Sequence, residues 1–359
     1  MPPTQSSEEG HKQGKLVLPL WRRFCIGYRR SYSSIMKNVT HPSARPAKWK
    51  ILLAFSIIYF VWGSTYLAIR VGVLQMPPFV MAGIRFTVAG LALWLWMRVQ
   101  GTPSLTWPEW RAATLLGSLM FLLDYACLFW AEQRVPSGIA AVIIAIIPVC
   151  ITLLEIIFLK TQHLTLRLGL GLAVGVIGVA VLVNPWSSFG EAPLDRGGVV
   201  ALLVASIGWS IGTVLSRRLV MPASKAMSAA AQMLSGGMML LVLSVVSGEF
   251  ARFHPKSISI GAWFSLVYLI IAGSIIAYTA YVWLLHYESP TKVGTYAYVN
   301  PIVAVIVGTL LGGEAIGRRT ILGAALILVS VVAITTMKSR ASAVAQTADR
   351  EIREGAVAD

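Results

Sequence analysis

Apolar residues run along this chain in blocks of roughly twenty, separated by short polar joints, and no period-two alternation is superimposed on them. A helix needs about 20 apolar residues to cross the hydrocarbon core of a bilayer. Ten blocks meet that length: Trp49 to Ile69, Phe79 to Met97, Ala112 to Ala131, Gly138 to Leu159, Thr165 to Val183, Gly197 to Ser216, Ala226 to Ser247, Gly261 to Leu285, Val293 to Gly312 and Thr320 to Met337. In lipid every backbone N–H and C=O has to be satisfied within its own segment, so blocks of this length are expected to be helices. A membrane barrel would show alternation over about ten residues, which is absent.

The blocks repeat. Residues from about 50 to 185 recur from about 197 to 337. At an offset of 147, Trp62 meets Trp209, Arg70 meets Arg217 and Gly90 meets Gly237. After a slip to 153, Tyr125 meets Tyr278, Trp130 meets Trp283 and Pro148 meets Pro301. Each half holds five spans, and five is odd, so the second copy enters the bilayer from the opposite side. The expected fold class is therefore an all-α membrane protein of ten transmembrane helices arranged as two inverted five-helix repeats, an architecture that builds alternating-access carriers. The expected organisation is a basic cytoplasmic tail at 1–48, a first repeat at 49–185, a linker at 186–196, a second repeat at 197–337 and a cytoplasmic tail at 338–359.

Composition agrees, with 56% hydrophobic and 13% charged residues. Ten spans put both termini on one side. Arg45, Lys48 and Lys50 abut the first span, and basic residues collect in both tails, which places the termini in the cytoplasm. The net charge of +15 arises mainly there and suits topology and anionic lipid headgroups; nothing resembles a nucleic-acid module. Trp21, Arg22, Arg23, Tyr28, Arg29 and Arg30 suggest a basic amphipathic surface helix, while Met36, followed by a short basic leader, is an alternative start to Met1. Cys25, Cys127 and Cys150 make no disulfide framework. None of the five histidines has zinc-ligand spacing and no Walker A loop occurs, so neither a metal nor another cofactor is expected. Gly208-Trp209-Ser210-Ile211-Gly212 fits the nucleophile pattern G-x-S-x-G, but that pattern depends on a strand-to-helix elbow and here lies inside an apolar helix, so no enzyme is expected.

Polarity inside the spans carries more information, because a mid-membrane charge costs several kcal/mol and usually faces a bundle interior or a wet cavity. Arg85 lies six residues into the second span and Asp124 seven residues before the end of the third, so both sit about 10 Å below the outer boundary. Matched depth and opposite sign suggest an ion pair. It either pins two helices together or forms a gate in which Asp124 is a protonatable coupling group. The second half holds Gln232 and Ala277 at the equivalent positions, so the pair is private to the first. Glu155, beside Lys160, is expected to snorkel to the inner interface. Pro148 and Pro301 each free a carbonyl four residues earlier, Ile144 and Ala297, and are candidate hinges. Tyr296 and Asn300 share a helix face aimed at the pathway, joined by Trp62, Thr65, Tyr125, Trp209, Ser210, Tyr278 and Tyr281. Gly171 with Gly175 and Gly308 with Gly312 have the spacing of close helix approach, either internal or between copies.

Trp62-Gly63-Ser64-Thr65-Tyr66, Arg85-Phe86-Thr87-Val88-Ala89, Pro136-Ser137-Gly138-Ile139-Ala140-Ala141 leading to Pro148, and Gly312-Gly313-Glu314 together resemble the drug/metabolite transporter superfamily, specifically its EamA-type ten-helix inner-membrane exporters. The resemblance spans residues 50 to 337 and implies cytoplasmic termini, a central cavity between the halves, and efflux of small metabolites, amino acids or drugs. The chain departs from it at Lys160-Thr161, where the repeat partner of Glu314 is expected. The reading is a secondary transporter in the inner (plasma) membrane that exports a small amphipathic solute, with protons as a candidate coupling ion. An uncoupled facilitator, a drug exporter and a lipid-linked substrate flippase stand as alternatives.

Overall fold

The computed structural model describes residues 46–159, 165–183, 194–216, 218–288, 293, 295–315, 317, 318 and 320–333. The expectations for the amino-terminal basic stretch, Cys25, Met36, Lys160-Thr161, Arg217, most of the linker and the tail from 338 fall outside them.

Among the described residues the chain consists of helices and their connections, with no strand. In chain order the apolar helices are α1 (Lys48–Val73), α2 (Pro78–Val99), α3 (Trp107–Glu132), α4 (Ser137–Ile157), α5 (Leu166–Val183), α6 (Arg196–Ser216), α7 (Lys225–Val246), α8 (Ile260–Leu284), α9 (Tyr296–Gly312) and α10 (Thr320–Ala333). Seven of them are long and apolar enough to cross a membrane; the apolar stretches of α5, α9 and α10 are shorter.

Local chemistry sets the starts. Pro78 occupies the first turn of α2, where the missing N–H costs nothing. Ser224 and Ser259 accept from backbone amides at the heads of α7 and α8. The third helix begins at Trp107 rather than near residue 112, because Thr106 and Glu109 close a capping box with Glu109 Oε2 accepting from Thr106 N at 2.7 Å. Its end is also later than expected, at Glu132.

Four stretches depart from α geometry. Ile57–Val61 in α1, Ser118–Leu123 in α3, Glu155–Leu159 at the end of α4 and Leu269–Ile276 in α8 are π-helical. Each widens a turn, and in α1 and α8 carbonyls of the widened turn accept from side chains of other helices. In addition, α4 is interrupted between Ile144 and Ile147, next to Pro148, where the proline has no N–H to offer the Ile144 carbonyl. Pro301 lies within α9. Glu155 is buried, 8% exposed, so it does not snorkel as expected.

Close approach of backbones holds the bundle. A Cβ at Gly90 in α2 would stand 2.5 Å from Leu234 N, and one at its repeat partner Gly237 in α7 would press on Thr87 N. Glycine at both positions therefore lets α2 and α7 pack main chain against main chain. The other small-residue seams are internal as well. Gly175 packs on Ser330, whose Oγ donates to Gly171 O at 2.6 Å, joining α5 to α10; Gly308 packs against Ser137 and Glu314, and Gly312 against Leu67.

Candidate functional site

The π-helical turn of α1 and the polar face of α9 fit one another. With its amide nitrogen turned to the acceptors, Asn300 donates to Tyr296 O at 3.2 Å and to Ile58 O and Tyr59 O, both in the π-turn, at 3.3 and 3.1 Å. One residue beyond that turn, Trp62 Nε1 donates to Gly273 O at 3.1 Å, a carbonyl within the π-helical stretch of α8. Thus two irregular turns are satisfied by two side chains, and both side chains are fixed at the centre of the bundle.

Around them the aromatic residues collect. The Trp62 ring lies 5.1 Å from Tyr281, 5.1 Å from Tyr296 and 6.5 Å from Trp209, centroid to centroid. Tyr125 lies 4.4 Å from Phe86 and 6.4 Å from Trp209. Between these rings is a cavity of about 60 Å³, bordered by Trp62, Thr65, Tyr125, Trp209, Tyr296 and Asn300, with Asp124 at its wall. At about 30 Å³ per water it has room for about two water molecules. Tyr66, Ile69, Leu128, Ile144 and Ile147 complete it. Among these, Tyr66 lies one turn beyond Trp62 on the same helix face, and that spacing is the signal in the sequence that places it here.

Three expected lining residues stand behind this wall. Tyr281 backs Trp62, and Tyr278 stacks 6.0 Å from Tyr281 and donates to Gln232 Oε1 at 3.3 Å. Ser210 Oγ donates to Ser206 O at 2.6 Å and approaches Ile147 O, at 3.3 Å, beside the break in α4. It is buried in a helix with its hydrogen engaged to carbonyls, unlike a nucleophile on an exposed elbow.

The Arg85–Asp124 ion pair is not formed. The two share a depth but not a direction. Arg85 is 1% exposed and donates from Nε to Ser274 Oγ at 2.9 Å on α8, while its guanidinium lies 4.6, 5.1 and 6.0 Å from the rings of Phe86, Tyr125 and Phe129. Aromatic faces replace the carboxylate as its partners. Asp124 faces the cavity instead.

A charged layer closes one end of the bundle, where α1 and α3 finish and α4 begins. Glu314 Oε1 accepts from Ser137 N at 2.8 Å and Oε2 from Gly138 N at 3.1 Å, capping α4. Gly313 turns the chain into position with φ at +65°, a conformation that suits glycine. Arg70 Nε stands 3.6 Å from Glu314 Oε1, and its Nη1 donates to the carbonyls of Glu132 and Val135. This explains why Pro136-Ser137-Gly138 and Gly312-Gly313-Glu314, far apart in sequence, belong to one set. Glu132 belongs to the same layer and was not legible, since the third span was expected to end before it. No group of three or more His, Cys, Asp or Glu is placed to hold a metal among the described residues.

A buried aromatic cavity inside a bundle of membrane-crossing helices defines a multi-pass membrane protein with an internal polar site. The chain belongs to the EamA-like transporter family, whose model matches residues 48–184 and again residues 196–336. It is 36% identical over 287 residues to the uncharacterized inner membrane transporter YedA of Escherichia coli (strain K12), covering 79% of this chain and 90% of that protein. It is 26% identical to protein PecM of Dickeya dadantii (strain 3937), over 76% of this chain and 88% of that one. The chloroplastic WAT1-related protein At3g02690 of Arabidopsis thaliana is 28% identical, over 79% of this chain and 68% of its own. A solved crystal structure with 20% identity shares the fold at a TM-score of 0.57, over 82% of this chain and 99% of its own. Membrane transport is thus the family's function.

Proposed function

We propose that the protein is a secondary carrier of the inner membrane that exports small amphipathic metabolites, such as amino acids, by alternating access. The observation that carries the reading is the central cavity: aromatic rings, one amide and one carboxylate gathered from α1, α3, α6 and α9, away from lipid. Such a lining suits a solute with an apolar body and a polar head. Ten spans in two inverted repeats, with cytoplasmic termini, complete the proposal. It is supported by the family model matching twice and by the reciprocal Gly90 and Gly237 contacts. The π-helical stretches of α3 and α8 also fall at the 153-residue offset: Ser118 and Leu123 correspond to Ile271 and Ile276. On this topology the Arg70–Glu314 layer is the outer gate and Asp124 the carboxylate reached by solute, with protons as the coupling ion.

Counterflow in proteoliposomes tests it. Unlabelled amino acids are screened against labelled ones, with and without an imposed proton gradient. Saturable exchange that responds to the gradient is expected; saturable exchange indifferent to it identifies an uncoupled facilitator. A second observation favours a different cargo: an apolar groove of about 670 Å³ opens between α1, α2 and α8, lined by Leu53, Ile57, Leu93, Ile276 and Trp283, with Trp49 and Lys50 at its edge. A flippase for lipid-linked substrates would use such a lateral groove. Inhibition by lipid-linked competitors, with no exchange of soluble amino acids or drugs, would select it.

A further inference from the structure

Glu132 is 0% exposed, and among the described residues neither of its carboxylate oxygens has a hydrogen-bond partner. Charged and titratable groups act on it from three neighbours, Arg70 and Tyr66 from α1, Arg85 from α2 and Glu314 from the turn after α9, with Asp124 two turns back along α3; on α6, packed along the same stretch of α3, Asp195 and Arg196 stand at the helix start. Arg70 touches the residue, but through the Glu132 backbone carbonyl. An ionised carboxylate without hydrogen-bond donors in such a place is disfavoured against the neutral acid. Charge balance points the same way. Arginine keeps its proton. Glu314 is engaged by Arg70 and by two amides, which leaves the single cation Arg85 against two acids, Asp124 and Glu132. One proton makes the layer neutral. Arg85 Nη1 is itself buried without a hydrogen-bond partner, and the Arg85 charge acts on Glu132 together with that of Arg70.

The geometry points to Glu132 as a proton-binding site of the carrier, one that holds a proton while the Arg70–Glu314 layer is closed and releases it to water when that layer opens. One O–H bond breaks, the proton passes to water, and the carboxylate left behind keeps the charges of Arg70 and Arg85 that already act on it. This rests on the carrier reading of the central cavity, with Asp124 as the solute-facing acid and Glu132 as the proton-bearing one.

Infrared difference spectroscopy across a pH titration of the purified protein in proteoliposomes reads the site without any solute. The expected result is a carboxylic-acid C=O band in the wild type that disappears on alkalinisation, is missing in Glu132→Gln, persists in Asp124→Asn and shifts but survives in Glu132→Asp, the variant that keeps the acid should the glutamine not fold. A band unchanged in Glu132→Gln overturns the assignment, as does its loss in Asp124→Asn alone. Counterflow on the same vesicles separates the two readings. Gradient-driven accumulation is expected to be lost in Glu132→Gln and retained in Glu132→Asp. An intact Glu132 band with no counterflow of any solute in the wild type would refute the carrier reading and leave the proton site standing.

Discussion

Single side chains that repair irregular backbone are where substitutions act most sharply. Asn300→Leu removes the donor shared by Ile58 O and Tyr59 O. A lost bond of this kind costs about 1–3 kcal/mol when a buried group is left unsatisfied. We expect a lower unfolding temperature in detergent together with lost counterflow, whereas Thr309→Val, which removes an exposed hydroxyl bonded within its own helix, leaves both in place. Glu314→Ala strips two amides of their cap and Arg70 of its partner and is expected to destabilise by about 1.5–3 kcal/mol; Glu314→Gln, which keeps acceptors, loses less. Glu249 gives the pH dependence. Its Oε2 accepts from Phe79 N at 2.8 Å, and burial pushes its carboxyl up, while the amides of Phe79 and Val80 and the charge of Arg252 pull it back. A folded value above the unfolded one contributes stability that is complete below the unfolded value and is lost as pH rises through the folded one. Thermal unfolding should therefore show a shallow decline across weakly acidic pH that Glu249→Gln flattens. The sequence named Asn300 and Glu314 through polarity and motif but could not name their partners, because neither the π-turn carbonyls that Asn300 meets nor the helix-start amides that Glu314 caps carry a sequence mark.

At the scale of helices, much was legible because twenty apolar residues in a row have few other fates, and the seven long helices begin and end close to the expected spans. The largest error at a start, α3, had its signal in Thr106-Trp107-Pro108-Glu109, a capping box outweighed by polar residues in the hydropathy reading. Its end hid Glu132, since a carboxylate after an apolar run reads as a loop residue unless the packing that buries it is known. The Arg85–Asp124 pair failed for a related reason: spacing fixes depth along a helix, but direction depends on packing, and the ring cage of Phe86, Tyr125 and Phe129 turned Arg85 away. Two tests belong here. Gly90→Ala and Gly237→Ala each force α2 and α7 apart and are expected to cost about 1–3 kcal/mol, read by thermal unfolding, while Gly261→Ala, with Ser259 Oγ at 3.8 Å as its neighbour, is neutral or stabilising. Because the two glycines share one interface, their double variant should depart from additivity. Pro148→Ala returns an N–H to the break in α4. Unfolding temperature is expected to rise and exchange rate to fall if the break is a hinge; unchanged exchange would make it a packing kink.

At the scale of the whole molecule, the central site is small. A cavity of about 60 Å³ holds about two waters, far below the 300 Å³ or more of a typical ligand pocket, so no amino acid fits without rearrangement. On the carrier reading proposed above, the cavity has to widen as solute binds, and binding then shifts the population toward an open state. The shift can be no larger than the difference in affinity between states. Thr65 offers a sensor, because it borders the cavity, is 6% exposed and bonds through Oγ1 to Trp62 O in its own helix, so a cysteine of similar size fits there. In a chain with Cys25, Cys127 and Cys150 replaced by serine, Thr65→Cys is expected to react slowly with a membrane-impermeant maleimide in sealed vesicles. A transported solute should accelerate that reaction from one face and protect against it at saturation. The variant joining Arg70→Cys to Glu314→Cys adds the direction: cross-linking the layer should abolish labelling from the face on which it lies and leave the opposite face reactive. Loss of labelling from both faces would mean that the layer clamps the whole bundle, and labelling unaffected by the cross-link would place the gate elsewhere.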